Sequence, residues 1–279
     1  PADRTIVADP GLCSAVHSWT VPVPSDNCEV VSFTATHEPG DSFPVGVTQV
    51  SYTVTDSMGM TTTDQFSITV VDEEDPMIIR LPADISLVVG EGDCTTPVSW
   101  VAPDSQDNCA IESFSISHNS GSEFPVGTTT VEISTTDIHG NSSAASFLVT
   151  VLDEEIPVIL SLPADISVSS DSDACGTTVT WIEPQSSDNC SVAELSADQI
   201  NGDFYPVGIT VVTYSILDAS GNSDEASFAI EVTDTTAPEF TEIPLGIQIN
   251  TDLGQCGASV TWNPVTAEDN CEVDTISGS

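Results

Sequence analysis

The residues with the widest chemical repertoire in this sequence are eight cysteines at regular intervals: Cys13, Cys28, Cys94, Cys109, Cys175, Cys190, Cys256 and Cys271. Cysteines can form disulfides, bind zinc or act as nucleophiles, and their spacing helps to separate these roles. The sequence has no Cys-x-x-Cys motif and no histidines at regular ligand spacing, which disfavours zinc. Because the two cysteines of each regular pair are 15 positions apart, we predict the disulfides Cys13–Cys28, Cys94–Cys109, Cys175–Cys190 and Cys256–Cys271.

Clustered carboxylates form the second set of candidate functional residues. Two runs of consecutive acidic residues supply candidate ligands, and at the third equivalent position only one acidic residue is present. The candidates are Asp72, Glu73, Glu74, Asp153, Glu154, Glu155 and Asp234. Adjacent like charges repel unless a cation neutralises them, and calcium prefers clustered carboxylate oxygens. We therefore predict calcium sites at the two full runs, with a smaller contribution from Asp234. The alternative is a solvated acidic linker that keeps the protein soluble.

Two further acidic motifs are candidate co-ligands for calcium. One is the Asp-Asn that precedes each second cysteine, for example Asp107 before Cys109. The other is the Asp-x-x-Gly motif at 56–59, 137–140 and 218–221. Asp and Asn also form turns by accepting hydrogen bonds from nearby backbone N–H groups, so turn formation is the alternative interpretation.

The charge balance excludes several classes of function. Lys and Arg number 2 against 44 Asp and Glu, giving a formal charge of −42, which repels nucleic acid and anionic membranes. No apolar run approaches the roughly 20 residues of a membrane-spanning helix. Of the four histidines only His37 and His118 are equivalent positions, and no catalytic triad or Gly-rich phosphate loop can be assembled. We predict that the chain is not an enzyme and has no organic cofactor.

Two sequons are candidate sites of N-glycosylation: Asn141-Ser-Ser and Asn189-Cys-Ser. Chance occurrence is the alternative, because the chain is rich in Ser and Thr. Asn141 stands at a predicted exposed turn, which favours it as the better acceptor.

A period of 81 residues relates both cysteine series, and it also relates Trp19, Trp100, Trp181 and Trp262. A long period without insertions is typical of tandem whole domains. We predict repeats at 1–81, 82–162 and 163–243 and an incomplete fourth repeat at 244–279. Since so short a part of a β-sandwich would expose strand edges, we expect it to be completed either by further chain or by strands from a neighbouring chain.

Each unit is predicted to be all-β. In the last strand Phe66, Ile68 and Val70 alternate with polar residues; the third unit repeats this pattern and the second unit nearly does. Turn motifs such as Phe-Pro-Val-Gly separate the strands, and the tryptophans are predicted to be buried in an earlier strand. Short alternating strands around a core Trp favour tandem immunoglobulin-like β-sandwich repeats of 81 residues with one disulfide each.

Four motifs recur in one order: Trp…Asp-Asn-Cys, Phe-Pro-Val-Gly-Thr-Thr-Thr-Val, Asp-x-x-Gly-Asn and Phe-x-Val-x-Val-x-Asp, most closely in the second unit. Together they resemble the hyalin repeat (HYR) domain over essentially the whole chain. Many family members have a cysteine entering the last strand, where this chain has Gln65, Ser146 and Ser227. The resemblance implies an immunoglobulin-like fold and an extracellular role in adhesion or matrix, without implying a particular ligand.

The functional prediction is a structural or adhesive extracellular repeat protein that forms a stalk or filament. Its predicted partners are neighbouring repeats or copies of itself, and disulfides place it in an oxidising, extracellular location, secreted or at the cell surface. The alternative is a carbohydrate- or protein-binding module of a larger secreted protein, which would bind cell-surface or matrix glycans. Sugar platforms need exposed aromatic rings, and burial of the tryptophans would favour the structural role.

Overall fold

The computed structural model describes residues 1–277, and every regular element in that range is a β-strand. The described chain forms two compact units: one contains residues 1–90 and 95–152, and the other contains residues 91–94 and 153–277. The first strands are β1 (Arg4–Val7), β2 (Ser14–Val16), β3 (Val30–Ala35), β4 (Ser42–Pro44), β5 (Gly46–Asp56) and β6 (Thr61–Val71). They form a four-stranded sheet of order β1-β6-β5-β3 and the antiparallel pair β2-β4.

The second set of strands repeats this arrangement. Its members are β7 (Met77–Ile79), β8 (Ile85–Val88), β9 (Thr95–Val98), β10 (Asp104–Gln106), β11 (Ile111–Ile116), β12 (Ser122–Pro125), β13 (Gly127–Asp137) and β14 (Ser142–Leu152). The four-stranded sheet has the order β11-β13-β14-β8, with β8 parallel to β14, and β9 pairs with β12. The short strand β7 pairs with β10, so residues 77–79 belong structurally to the second repeat.

The other unit contains the remaining strands. They are β15 (Val158–Leu160), β16 (Ile166–Ser169), β17 (Gly176–Thr178), β18 (Gln185–Ser187), β19 (Val192–Ala197), β20 (Phe204–Pro206), β21 (Gly208–Asp218), β22 (Ser223–Thr233), β23 (Glu239–Glu242) and β24 (Thr266–Glu268). The sheet β16-β22-β21-β19 and the pairs β17-β20 and β15-β18 reproduce the plan of the second set. Within 244–277 the only strand is β24, which pairs with β23.

Each core lies between the inner face of a four-stranded sheet and the facing two-stranded pair. The predicted alternation is confirmed in β6, where Phe66, Ile68 and Val70 are buried, and Phe43 of β4 packs against the same cluster. A buried aromatic or branched side chain contributes about 1.5–3 kcal/mol through removal from water. The chain reaches this geometry through the Phe-Pro-Val-Gly turn, whose Gly46 has φ +116°, a backbone conformation that favours glycine.

The tryptophans differ from the sequence prediction in two ways. Trp100 lies just after β9 rather than within it, and it packs edge-on against Phe124 and Phe147 at centroid distances of 5.9 and 5.1 Å. Trp19 and Trp181 pack in the same way against their own cores. Trp19, Trp100 and Trp181 are half-buried and Trp262 is 62% exposed, so the prediction of four equivalent buried tryptophans is wrong. Within residues 244–277 no four-stranded sheet is present to cover Trp262.

We expect Phe124→Ala to destabilise the second repeat by about 3–5 kcal/mol, because it removes a side chain that is 1% exposed and leaves a cavity. Hydrogen exchange of the β13 and β14 amides measures the loss. Phe114→Ala is the matched control, since Phe114 is on the same repeat and 38% exposed. Equal effects of the two substitutions would contradict the assigned core.

Candidate functional site at the junctions between repeats

Three disulfides occur among the described residues, and each joins one repeat to the next: Cys13–Cys109, Cys94–Cys190 and Cys175–Cys271. The sequence separation is 96 residues in every case. The predicted pairings Cys13–Cys28, Cys94–Cys109, Cys175–Cys190 and Cys256–Cys271 are therefore wrong. Their spacing of 15 differs from 96 by one period of 81, so a regular series of cysteines is compatible with either pattern. Cys28 and Cys256 are exposed thiols.

The cysteine of the following repeat belongs to a compact Asp-Asn-Cys turn, which we define as residues 26–28, 107–109, 188–190 and 269–271. In each turn the cysteine N–H donates to the carboxylate two residues earlier, as Cys109 does to Asp107 at 2.9 Å. The middle Asn108 donates through Nδ2 to the carbonyl of Leu12, beside Cys13, and to Asp72. The turn is thus held to the preceding repeat by hydrogen bonds as well as by sulfur.

Two strand ends bring further carboxylates to this junction. Asp72 follows β6 with the same parity as the buried Phe66, Ile68 and Val70, and it is only 8% exposed. Asp137 ends the buried row of β13 and is fully buried. Because alternate residues of a strand point to one face, each carboxylate continues the buried row of its own strand into the junction.

The carboxylates gather into two equivalent clusters. Asp72, Asp107 and Asp137 offer oxygens that all lie within 4.8 Å of one another, and Asp153, Asp188 and Asp218 do the same one period later. Burial raises the pKa of Asp137, but hydrogen bonds from the Asn141 side chain and from backbone N–H groups of its turn outweigh burial and hold that pKa below its ordinary value. The same causes lower the pKa of Asp218. Both groups are therefore anionic at neutral pH.

Several oxygens in these clusters have neither solvent nor a hydrogen-bond partner. Oδ1 of Asp107 and Oδ1 of Asn108 are buried and unpaired at the first junction, as are the equivalent atoms of Asp188 and Asn189 at the second. A buried oxygen without a donor loses hydration without compensation, at a cost of about 1–3 kcal/mol or more when charged. These atoms, together with the clustered carboxylates, form an oxygen-rich donor set suited to a hard cation.

Only some of the predicted calcium ligands lie in the carboxylate clusters. Asp72 and Asp153 belong to the clusters, whereas Glu73 and Glu154 are exposed and belong to neither. Glu74 and Glu155 instead accept hydrogen bonds from the backbone of Gly11 and Gly92 at 2.9 and 2.8 Å. The third junction brings only two carboxylates together among the described residues, Asp234 and Asp269.

The first two junctions differ at one position that the sequence analysis did not single out. His139 Nδ1 lies 3.0 Å from Asp72 Oδ2, whereas the equivalent Ser220 Oγ lies 3.3 Å from Asp153 Oδ2. A histidine present in only one repeat leaves no periodic signal, so its role could be found only from the folded chain.

Both sequon asparagines are part of the junctions. Asn141 Nδ2 donates to the carbonyl of Asp72 at 3.3 Å and to Asp137 at 2.7 Å, and Asn141 is half-buried rather than exposed as predicted. Asn189 Nδ2 donates to the carbonyl of Asp93 and to Asp153. N-glycosylation would attach a glycan to this same nitrogen, so modification would compete with the junction hydrogen bonds. Use of either sequon remains a prediction.

Comparisons with known proteins agree with this architecture. Three consecutive stretches, residues 2–70, 71–151 and 152–232, match the HYR domain. Hyalin of Lytechinus variegatus is 32% identical over 278 residues, which is 96% of this chain and 52% of that protein. Hyalin of Strongylocentrotus purpuratus is 30% identical over 277 residues, 95% of this chain and 23% of that protein. The chain spans about half or less of the length of these curated relatives.

Among solved structures, the Protocadherin GammaB4 extracellular domain is 15% identical with a TM-score of 0.30, covering 86% of this chain and 50% of that chain. The strands and the family match confirm the predicted fold class, an all-β tandem array of immunoglobulin-like repeats. The family match also supports the prediction that the chain is not an enzyme. No helix among residues 1–277 is long and apolar enough to cross a membrane.

Peptide mapping without reduction should recover the pairs Cys13–Cys109, Cys94–Cys190 and Cys175–Cys271, because only those sulfurs are bonded in the fold. The measurement is mass spectrometry of a digest prepared at acidic pH, where disulfide exchange is slow because thiolate is scarce. A reduced digest is the control. Recovery of a Cys94–Cys109 peptide as the main product would contradict the pairing between repeats.

Proposed function

Because the chain belongs to the HYR domain family, we propose that it works as an extracellular adhesive repeat array, a stalk or filament whose junctions are stiffened by calcium. An extracellular location fits the three disulfides, since disulfides persist in oxidising compartments. The observation that carries the calcium proposal is the pair of equivalent three-carboxylate clusters with buried, unpaired oxygens.

The donor set suits calcium better than a softer metal. Calcium takes six to eight oxygen ligands from carboxylates, amide and backbone carbonyls and water, whereas thiolate and imidazole favour other metals. At the first junction Asp72, Asp107 and Asp137 would supply carboxylate oxygens and Asn108 an amide oxygen. The cysteine beside them is oxidised, which removes it as a thiolate ligand. The second junction offers the same oxygens from Asp153, Asp188, Asp218 and Asn189.

The ligands at each junction come from two successive repeats, and this origin is what would make calcium a stiffener. Asp72 directly follows the last strand of the first repeat, while Asp107 and Asp137 belong to the second. A cation shared between them would offset their mutual repulsion and hold the two repeats together. Without a cation, carboxylates this close favour separation of the groups. Calcium would thus restrict motion that the disulfide and the Asn108 hydrogen bonds leave open.

Binding of glycans has less support as the main role. Sugar recognition commonly uses exposed aromatic rings as stacking platforms, and three of the four tryptophans pack against the cores of their repeats. The repeats would instead act through their junctions and through neighbouring copies, with glycans of the cell surface or matrix as secondary ligands.

We expect two calcium ions to bind at the first two junctions, measured by isothermal titration calorimetry of the metal-free chain. Asp137→Asn and Asp218→Asn should each weaken one site by about tenfold or more, because affinity follows the number of charged ligands. Asp56→Asn is the matched control. Asp56 accepts the same turn hydrogen bonds from Met58 and Met60 as its equivalents do, but it belongs to no carboxylate cluster among the described residues. Equal effects of all three substitutions would show that the turn, rather than a metal site, is responsible.

Calcium should also change the flexibility of the whole chain. Small-angle scattering is expected to show a narrower range of conformations with calcium than with a chelator, and Asp137→Asn should remove part of that difference. The third junction should contribute less, because it brings only Asp234 and Asp269 together. Scattering curves that a chelator leaves unchanged would contradict the stiffening role, even if calorimetry detected binding.

A further inference from the structure

The first two junctions are built alike except at one side chain that contacts the carboxylate cluster. His139 at the first junction corresponds to Ser220 at the second. The two turns have the same conformation, because the N–H of His139 donates to Asp137 Oδ1 at 2.8 Å and the N–H of Ser220 donates to Asp218 Oδ1 at 2.9 Å. The junctions therefore present equivalent carboxylates but differ in one metal-binding group, an imidazole against a hydroxyl.

We propose that the first junction, unlike the second, is a mixed nitrogen–oxygen site that binds a first-row transition-metal ion such as zinc through His139 and Asp72. The inference rests on the proposed function in that it uses the same carboxylate clusters as cation sites, and it concerns which metal each of them selects. Imidazole is a ligand for zinc and its first-row neighbours, whereas calcium takes oxygen ligands. A histidine beside the carboxylates thus changes the metal preference of the first junction.

The two atoms that would bind the ion have a suitable spacing. His139 Nδ1 lies 3.0 Å from Asp72 Oδ2. Two ligands that are each bonded to zinc at about 2.0–2.1 Å lie roughly 2.9–3.4 Å apart when the angle between them is octahedral or tetrahedral. Nδ1 either donates a proton to Asp72 or, in the tautomer protonated at Nε2, offers its lone pair. The same placement therefore serves a hydrogen bond without metal and a coordinate bond with it.

Further ligands come from the cluster that Asp72 shares with Asp107 and Asp137, whose oxygens lie within 4.8 Å of one another. Oδ1 of Asp107 is buried without a hydrogen-bond partner, so a cation would compensate its lost hydration. The sulfur of Cys109 also lies within 4.8 Å of the ligand atoms of Asp72 and His139, but its disulfide removes it as a thiolate. The donor set is thus one imidazole with two or three carboxylates, completed by water.

Hydrogen bonds hold Asp72 in place for this role. Its side chain is fully buried, and Oδ1 accepts from Asn108 Nδ2 at 3.0 Å and from the Glu74 N–H at 3.2 Å. Those two contacts leave Oδ2 to face His139, whose side chain is 27% exposed. An ion can therefore reach the pair from the histidine side, while the carboxylate cannot turn away without losing both hydrogen bonds.

The test is isothermal titration calorimetry of the metal-free full chain with zinc, using exchanges that the repeats themselves supply. His139→Ser copies the second junction and should weaken the tightest zinc site by about tenfold or more, since losing even an outer-shell partner of a metal costs about 10- to 100-fold. Ser220→His copies the first junction and should add a second zinc site. His118→Gln is the matched control, because the third repeat has Gln199 there and His118 contacts Ser117 Oγ at 3.0 Å.

Three results would overturn the proposal: no zinc site in the unaltered chain, equal effects of His139→Ser and His118→Gln, or no added site in Ser220→His. Hydrogen exchange of β13, β14, β21 and β22 confirms that each variant is folded.

A calcium titration with the first site saturated by zinc separates this inference from the calcium proposal. The unaltered chain should then bind one calcium ion instead of two, whereas His139→Ser should still bind two. An intact zinc site in a chain that binds no calcium would reject the calcium proposal alone. Two calcium sites in a chain without a zinc site would reject this inference alone.

Discussion

The contact on which each junction depends is the insertion of an Asp-Asn-Cys turn against the cysteine loop of the preceding repeat. The disulfide fixes the position of the turn, and Asn108 adds hydrogen bonds to the Leu12 carbonyl and to Asp72. Once the turn is fixed, Asp107 lies beside Asp72, and the neighbouring turn brings Asp137 to the same place. In loop-entropy terms, closing a loop of about 100 residues stabilises by roughly 4.7 kcal/mol, a substantial contribution for repeats of this size.

The junctions concentrate negative charge that the rest of the repeat cannot neutralise. The chain has only two Lys and Arg residues, and Arg80 is already paired with Asp104 on the surface. Backbone N–H groups and asparagine amides therefore provide most of the donors to Asp137 and Asp218. That arrangement explains why Asn141 and Asn222 follow the Asp-x-x-Gly turns at 137–140 and 218–221. Each of these asparagines also donates to the carbonyl of the residue that follows the last strand of the preceding repeat.

Much of the fold could be predicted because strand alternation is a local property of the sequence. The rows at Phe66, Ile68 and Val70 point inward as expected, and the same parity places Asp72 inward and Glu73 outward. Continuing the alternation two residues beyond Val70 predicts that Asp72, rather than Glu73, points inward. The disulfide pairing could not be predicted in this way. The same regular cysteine positions allow pairing within a repeat or pairing with the equivalent cysteine of the next repeat. Nor could the contact of His139 with Asp72 be predicted, because it depends on how two repeats meet.

The overlapping disulfides also determine how the chain would respond to tension between its two ends. The shortest covalent route between the ends passes through the three disulfides Cys13–Cys109, Cys94–Cys190 and Cys175–Cys271. Its backbone segments are residue 1 to Cys13, Cys94 to Cys109, Cys175 to Cys190, and the chain after Cys271. This route contains only about a fifth of the residues, so at roughly 3.5 Å per residue its contour length is about 200 Å instead of nearly 1,000 Å. The large strands β13, β14, β21 and β22 lie off that route. Pulling would therefore load the short segments between the two cysteines of a repeat, which include β9 and β17, while the long strands of the four-stranded sheets carry little of the force.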